Sequence, residues 1–441
     1  MTNTKRLALA LAASAIAITS AQAGGFSRGN ANLDGLYASE DGNEPVTAYA
    51  GVTFVSPGRS YENIEVDIVG TNVQQDGDIE FAEDFSVPFA SVGLKFNDQA
   101  RCVGSYSVPY GGDSEYEGPV TFQIASQEIE TFELGATCSY GVQVGRGMAY
   151  AIGGVFYENL EYRQSRDFTQ SAQFNAPAGT QFAAALAPFG LDRFFDGPVT
   201  GNSSIDVSSE DVGFRVGAAY EIPEIALRAS LIYRSETNHD VDGSFSNTPL
   251  SRIFQLRAAQ AALAGDLVTA GEQGAFAGAS AGQFDSTATG SATLPQQLEL
   301  NLRSGVAAGT LVFGSVRWTD WSVVQQIDLN DGFSNSPFTD FKGFFDDGWT
   351  VTLGVGRQIN EDLAGSLAVT WDEGVGTGFD TFTDTYTLAG GLAYDLNEVA
   401  NIRGGGALVY FTEGEKTQGD FTAESPGEFG FALSAGLNVK F

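Results

Sequence analysis

The chain has a single histidine, His239, two cysteines, and 22 Lys+Arg against 55 Asp+Glu, for a formal net charge of −33. One histidine removes most zinc-hydrolase and catalytic-triad chemistry, and two cysteines do not make a disulfide-dense scaffold. No metal or other cofactor is expected, and the chain reads as a non-enzyme. The shortage of basic residues argues against nucleic acid as a partner, because binding it needs a positive face. After Ala23 there is no apolar run of about 18 residues, which speaks against a membrane-spanning helix. Charged residues make up only 17% of the chain, whereas Gly (55), Phe (33) and Tyr (15) are plentiful.

Residues 1–23 read as a secretory signal peptide. Lys5 and Arg6 form a basic start, Leu7 to Ile18 is an apolar run too short to span a bilayer, and Ala21-Gln22-Ala23 is a small-x-small cleavage site. An exported chain without a membrane helix is either soluble or an outer-membrane barrel.

Period-2 alternation separates the two. Phe429, Phe431, Leu433, Ala435, Leu437, Val439 and Phe441 share one face, while Gly430, Ala432, Ser434, Gly436, Asn438 and Lys440 share the other. Lipid outside and a wet lumen inside require that pattern. The terminal Phe441 resembles the signal by which barrel assembly machinery recognises its clients. The same alternation recurs upstream, as in Trp349, Val351, Leu353 and Val355 before a turn at Gln358 to Asp362. Further tight turns fall at Asn97, Gly145, Glu221 to Glu224, Ala307 and Asp395. Six short and seven long connections join 14 strands, placed at 46–56, 86–96, 100–108, 124–144, 147–163, 207–220, 225–235, 296–306, 310–318, 349–359, 363–372, 383–395, 399–411 and 429–441. The fold class is therefore all-β, a transmembrane antiparallel barrel over 46–441 preceded by a short segment, 24–45. Short turns should face the periplasm and long loops the exterior. The acidic residues concentrate in the long connections, either as a solvated surface or as sites bridged to lipopolysaccharide by divalent cations.

Two outer connections are unusually apolar. Residues 164–206 contain Phe182, Leu186, Phe189, Phe194 and Phe195. Residues 236–294 contain Ile253, Leu256, Ala259, Leu263 and Leu267, whose spacing is that of an amphipathic helix. Packed together they would make either a self-contained loop core or a hydrophobic groove above the lumen. His239, beside Asp240, is expected to be solvated in the second loop. Trp318 and Trp321 are expected to anchor a strand end at the membrane interface.

With Ser107-Val-Pro-Tyr-Gly-Gly-Asp113, Leu294-Pro-Gln-Gln-Leu-Glu-Leu-Asn-Leu-Arg-Ser-Gly-Val306 and Thr310-Leu-Val-Phe-Gly-Ser-Val-Arg-Trp-Thr-Asp-Trp-Ser322, the chain resembles the FadL family of outer-membrane long-chain fatty acid transporters, which includes TodX-type channels for aromatic hydrocarbons. The resemblance implies a hydrophobic groove between the third and fourth outer loops, a lumen pocket, an N-terminal hatch and a side exit at a kinked third strand. It departs in the hatch, for only about 20 residues precede the first strand. Phe26, Leu33, Leu36 and Tyr37 are the hatch residues able to pack in the lumen. A hatch this short also leaves no room for the globular plug of an energised receptor, so transport would be passive.

On the alternation, Arg303 and Arg317 point inward, as candidates either for binding a carboxylate head group or for pairing with wall carboxylates such as Glu299. Pro109, Gly111 and Gly112 either end the third strand or interrupt the wall as a lateral exit. Cys102 and Cys138 fall on the apolar faces of neighbouring strands and would bridge if the register brings their Cβ atoms within about 4.5 Å. The expected partners are a long-chain fatty acid or other hydrophobic small molecule, outer-membrane lipid and lipopolysaccharide, and the assembly machinery. A sealed wall suits a monomer.

Overall fold

The structure is a computed structural model that describes residues 26–38, 44–68, 71–75, 77–122, 124–173, 196–247, 284–324, 326–331, 336–342, 344–378, 381–418 and 421–441. Fourteen antiparallel wall strands close on themselves. They are β1 (Val46–Ser56), β2 (Phe85–Lys95), β3 (Ala100–Ser107, resuming as Gly111–Glu115), β4 (Ser126–Val144), β5 (Gly147–Gln173), β6 (Asp196–Ile222), β7 (Leu227–Arg234, resuming as Thr237–Asn247), β8 (Phe284–Leu294, resuming as Gln297–Ala307), β9 (Thr310–Thr319), β10 (Gly348–Gln358), β11 (Leu363–Asp372), β12 (Thr385–Asp395), β13 (Ala400–Phe411) and β14 (Glu428–Lys440). Closure is between β1 and β14, from Thr47↔Lys440 to Ser56↔Phe431. Closure pairs the strand edges that lipid could not satisfy, leaving a break between β2 and β3 where their pairing stops at Ala90↔Tyr106.

The alternation read from the sequence is the inside–outside pattern of the wall. Along β14, Phe429, Leu433 and Leu437 are exposed to the outside, while Ala432 and Lys440 are buried in the interior. All six tight turns join strands at one end, where Val46 and Phe441 also exchange backbone hydrogen bonds. Cys102 and Cys138 lie opposite each other in the β3–β4 register and form a disulfide.

Several expectations are corrected away from the membrane. β5 and β6 run as paired strands to Gln173 and from Asp196, so both ends of the connection expected at 164–206 are strand. The connection expected at 236–294 likewise contains Thr237–Asn247 paired with Phe284–Leu294. His239 therefore sits on a strand and is buried, not solvated in a loop. At Ser235-Glu236 the chain slips by one residue, and inward positions change from even (Arg234) to odd (Thr237, His239, Val241). A polar composition hid this strand extension. Trp321 is also misplaced by the sequence reading. The chain turns inward after Thr319 in a short 3-10 turn, Trp321–Val323, which buries the indole, while Trp318 donates its Nε1–H to Asp347 Oδ2 at 3.0 Å.

Residues 57–85, expected as a long connection between the first two strands, contribute Ser60–Ile68, Thr71–Gln75 and Ile79–Glu80 to a small outer sheet completed by Gly414–Gln418 and Phe421–Ser425. Its core includes Tyr61, Ile64, Val66, Tyr116 and Phe421. The alternation there breaks at Asn63, whose φ of 51° sits at a register shift between Glu62 and Glu65, so Tyr61 and Ile64 face the same way despite their odd spacing.

Candidate functional site

The inward residues fall into three layers. Nearest the short turns lies the N-terminal segment, with Leu36 and Tyr37 buried against Val103, Tyr150, Ile152 and Ala219. Leu33 packs against the same cluster, and Ser139 Oγ donates to Leu36 O at 2.7 Å. This segment touches the wall closely. A Cβ on Gly93 would stand 2.6 Å from Thr47 Oγ1 and 3.2 Å from Gly35 Cα. Gly93→Val is therefore expected to lift the plug and raise single-channel conductance in planar bilayers several-fold; conductance equal to that of the unsubstituted protein would mean that the plug is not the seal.

The middle layer is a belt of buried charge. Glu133 accepts from Arg215 at 2.5 Å and from Arg234 at 3.2 Å, and Arg234 also reaches Glu158 at 2.5 Å. Thr237 Oγ1 donates to Glu158, and His239 Nε2 lies 3.8 Å from the same carboxylate. The two guanidinium groups lie over the Phe156 ring at 4.6 and 4.3 Å. Buried charges persist only when paired, and each carboxylate here has a guanidinium partner.

Above the belt the lining turns apolar. Ile129, Leu160, Val207, Val241, Leu294 and Leu329 wall a chamber with about 40 Å³ of free volume, with Tyr162, Trp321 and Val324 beside them. Phe26 enters it from the plug, edge-on to Trp321 at 6.2 Å and to Phe382 at 4.9 Å. Tyr110 forms the floor: its hydroxyl donates to Pro295 O at 2.9 Å and accepts from Gln297 at 3.1 Å and Arg234 at 3.3 Å. The ring thus presents carbon to the chamber and oxygen to the belt. Below that floor a second cavity of about 270 Å³ runs past the plug, with a mixed lining of Asp34, Arg228 and Glu299 beside Leu33, Phe89 and Ile232 among others.

The wall beside this cavity is interrupted. β1 pairs with β2 as far as Val55↔Phe85, but β2 pairs with β3 only to Ala90↔Tyr106. Above the gap the two edges meet again at Ala82↔Ser114. Pro109 lacks the donor that would continue the ladder. The plug takes up the loose backbone instead: Arg28 N–H donates to Pro109 O at 2.9 Å, and Gly111 N–H donates to Phe26 O at 2.8 Å. Gly112 permits the approach, since a Cβ there would stand 2.6 Å from the Phe26 ring. The Arg28 guanidinium fills the gap, 3.2 Å from the Phe85 ring centroid and 3.5 Å from Asp113 Oδ2.

The residues singled out from the sequence are distributed over these layers. Phe26, Pro109, Gly111 and Gly112 come together at the wall break, and Leu33, Leu36 and Tyr37 at the plug. Arg303 and Arg317 do face inward, but their register positions, Arg303↔Phe313 and Glu299↔Arg317, set them four residues apart along the strand, about 13 Å. One carboxylate does not reach both. Arg303 lies 3.6 Å from Glu221, and Arg317 donates to Thr350 Oγ1 at 3.3 Å. The groove residues Phe182, Leu186, Phe189, Phe194 and Phe195, and Ile253, Leu256, Ala259, Leu263 and Leu267, lie outside the described residues. Arg215, Arg228 and Arg234 were not singled out, although the alternation that turns Arg303 inward does the same for them.

The chain is 23% identical over 435 residues to the "Long-chain fatty acid transport protein" of Escherichia coli strain K12, covering 90% of this chain and 87% of that one. Among solved structures, a Pseudomonas aeruginosa FadL homologue shares the fold with a TM-score of 0.72 at 15% identity, over 95% of this chain and all (100%) of that one. The Pseudomonas putida toluene transporter TodX matches with a TM-score of 0.53 at 13% identity, over 96% of this chain and 97% of that one. A family model described as "Outer membrane protein transport protein (OMPP1/FadL/TodX)" matches residues 8–420, nearly the whole barrel, and the chain belongs to that family of outer-membrane transport proteins.

Proposed function

We propose that this barrel carries long-chain fatty acids, or similarly hydrophobic molecules, passively inward across the outer membrane. The observation that carries this reading is the apolar chamber, set directly above the belt of buried, paired charge. A pore for hydrophilic solutes gains nothing from such a layer, because apolar walls exclude water, whereas a molecule with little affinity for water is stabilised there. On this reading the substrate is collected by the two outer connections, enters the chamber and displaces Phe26 and Tyr110. It then reaches the gap between β2 and β3 at Pro109 to Gly112, where lipid lies on the other side. A gradient and consumption within the cell supply the drive.

The aromatic edges around Phe26 favour a second reading, passage of aromatic hydrocarbons, since ring compounds pack edge-to-face against such a lining. The remaining partners follow from the location: outer-membrane lipid and lipopolysaccharide around the wall, and the assembly machinery that meets Phe441.

Uptake of labelled oleate, with toluene in parallel, by cells that lack their own channel and carry this gene separates the readings. Oleate entry that is lost with Phe182→Asp and Leu256→Asp supports fatty acid transport through the outer groove. Toluene entry alone keeps the route and changes the substrate. Entry of neither through a correctly inserted barrel overturns the transport reading.

A further inference from the structure

At its outer rim the chamber turns polar again, and it does so without charge. Tyr162 of β5 lies in register with Ile129 of β4 and Val207 of β6, so its ring is part of the chamber wall. Two residues further out on the same strand face, Gln164 stands in register with Gln127 and Ile205. Tyr162 is 7% exposed and Gln164 8%, yet neither the Tyr162 hydroxyl nor Gln164 Oε1 has a hydrogen-bond partner. Burying a polar atom without a partner destabilises a fold, and Phe and Leu would fill both positions without that penalty.

The two groups are complementary. A tyrosine hydroxyl donates, an amide oxygen accepts, and residues i and i+2 of a strand stand about 7 Å apart on one face. A single O–H-bearing group between them satisfies both, accepting from Tyr162 and donating to Gln164. The surroundings decide its charge. Between the belt and these two residues, the inward positions of β4 to β7 carry no charged side chain. Among the described residues the one charge that acts on the Tyr162 hydroxyl is Arg166, at the next inward position out, and that guanidinium has interactions of its own. An ionised carboxylate brought to the rim would lose its water without gaining a free cation, whereas a protonated carboxyl or an alcohol makes both hydrogen bonds.

We infer that Tyr162 and Gln164 form a head-group subsite at the outer rim of the chamber that takes an uncharged O–H group, so that a fatty acid is held there as the neutral acid with its tail among Leu160, Val241 and Leu294. The carboxyl takes its proton from water before entry, and no covalent bond to the protein forms or breaks. A molecule with no polar end leaves both groups unpaired, which separates oxygenated chains from plain hydrocarbons of the same length. The inference rests on the reading of the chamber given above and adds which head group it admits.

The experiment is equilibrium binding of labelled lauryl alcohol, laurate and dodecane to the purified protein in nanodiscs, with empty nanodiscs as the blank. Tyr162→Phe should weaken the alcohol by about fivefold, the loss of one hydrogen bond, and leave dodecane unchanged. Because it removes an unpaired hydroxyl, this variant should fold at least as well as the unsubstituted protein. Gln164→Leu should act on the alcohol in the same way. Laurate should bind at least about tenfold more tightly at pH about 5, close to the ordinary carboxyl range, than at pH about 8, while the alcohol ignores pH. An alcohol affinity unmoved by Tyr162→Phe overturns the inference. So does laurate bound equally at both pH values, which would put an ionised head group at the rim. Dodecane that binds while neither substitution changes the alcohol leaves the chamber standing and the subsite refuted; binding of none of the three overturns the chamber reading as well.

Discussion

A carboxylate placed in the apolar chamber, by Val241→Asp, is expected to cut oleate uptake by at least about tenfold, since an unpaired charge buried among hydrocarbon costs several kcal/mol and holds water against the substrate. Val241 is 3% exposed and lines the chamber with Leu160, Val207 and Leu294. The guanidinium groups of the belt below are committed to Glu133 and Glu158, so the new acid would compete for partners already in use. Val241→Leu, which changes volume and not polarity, should leave uptake within about twofold of the unsubstituted protein. Both variants are compared at equal surface level with labelled oleate. Full uptake by the Asp variant would show that the route bypasses the chamber.

The second large effect is on stability. Glu133 is fully buried and shared by Arg215 and Arg234, so Glu133→Gln leaves two buried guanidinium groups with one carboxylate fewer between them. Breaking a buried pair from one side costs about 3–5 kcal/mol, because the remaining charge has lost water without gaining a partner. The barrel should therefore unfold at a markedly lower temperature when followed by heat-dependent migration on gels. Replacing Glu133 and Arg215 together, both by Gln, should recover part of the loss, since the charges then leave as a pair. An unchanged transition for Glu133→Gln would mean that Glu158 alone suffices to hold the belt. The floor should respond as well, because Arg234 donates to the Tyr110 hydroxyl from its place in the belt.

The wall was legible residue by residue. Alternation in β14 or β10 is a local property, and each outward residue answers to the same lipid whatever its neighbours in sequence. Tight turns carried their own chemistry, such as Asn97 and Asn397, whose side-chain oxygens each accept two backbone N–H bonds. The reading failed where the local signal changed phase. The slips at Asn63 and at Ser235-Glu236 hid the outer sheet and the upper half of β7, and with it the burial of His239. The candidate site was legible only in its backbone signals, Pro109, Gly111 and Gly112, and in the apolar residues of the N-terminal segment. Arg303 and Arg317 were rightly turned inward, but their heights in the lumen and their partners came from pairings that the residues themselves do not announce.

The sequence by itself determined the 14-strand wall, which end carries the short turns and which face meets lipid, because a bilayer imposes one requirement on every second residue. Only the tertiary structure decided how the lumen is filled: a plug below, a belt of paired charge across the middle and a chamber of hydrocarbon above. Inward positions obey no common solvent, and each is satisfied by whichever groups closure brings across the barrel. Asn30 reaches Glu299 from 269 residues away, Asp34 meets Arg228 from 194, and Tyr110 meets Pro295 from 185. Local periodicity encodes a surface, whereas partners so distant in sequence become neighbours only when β1 and β14 join.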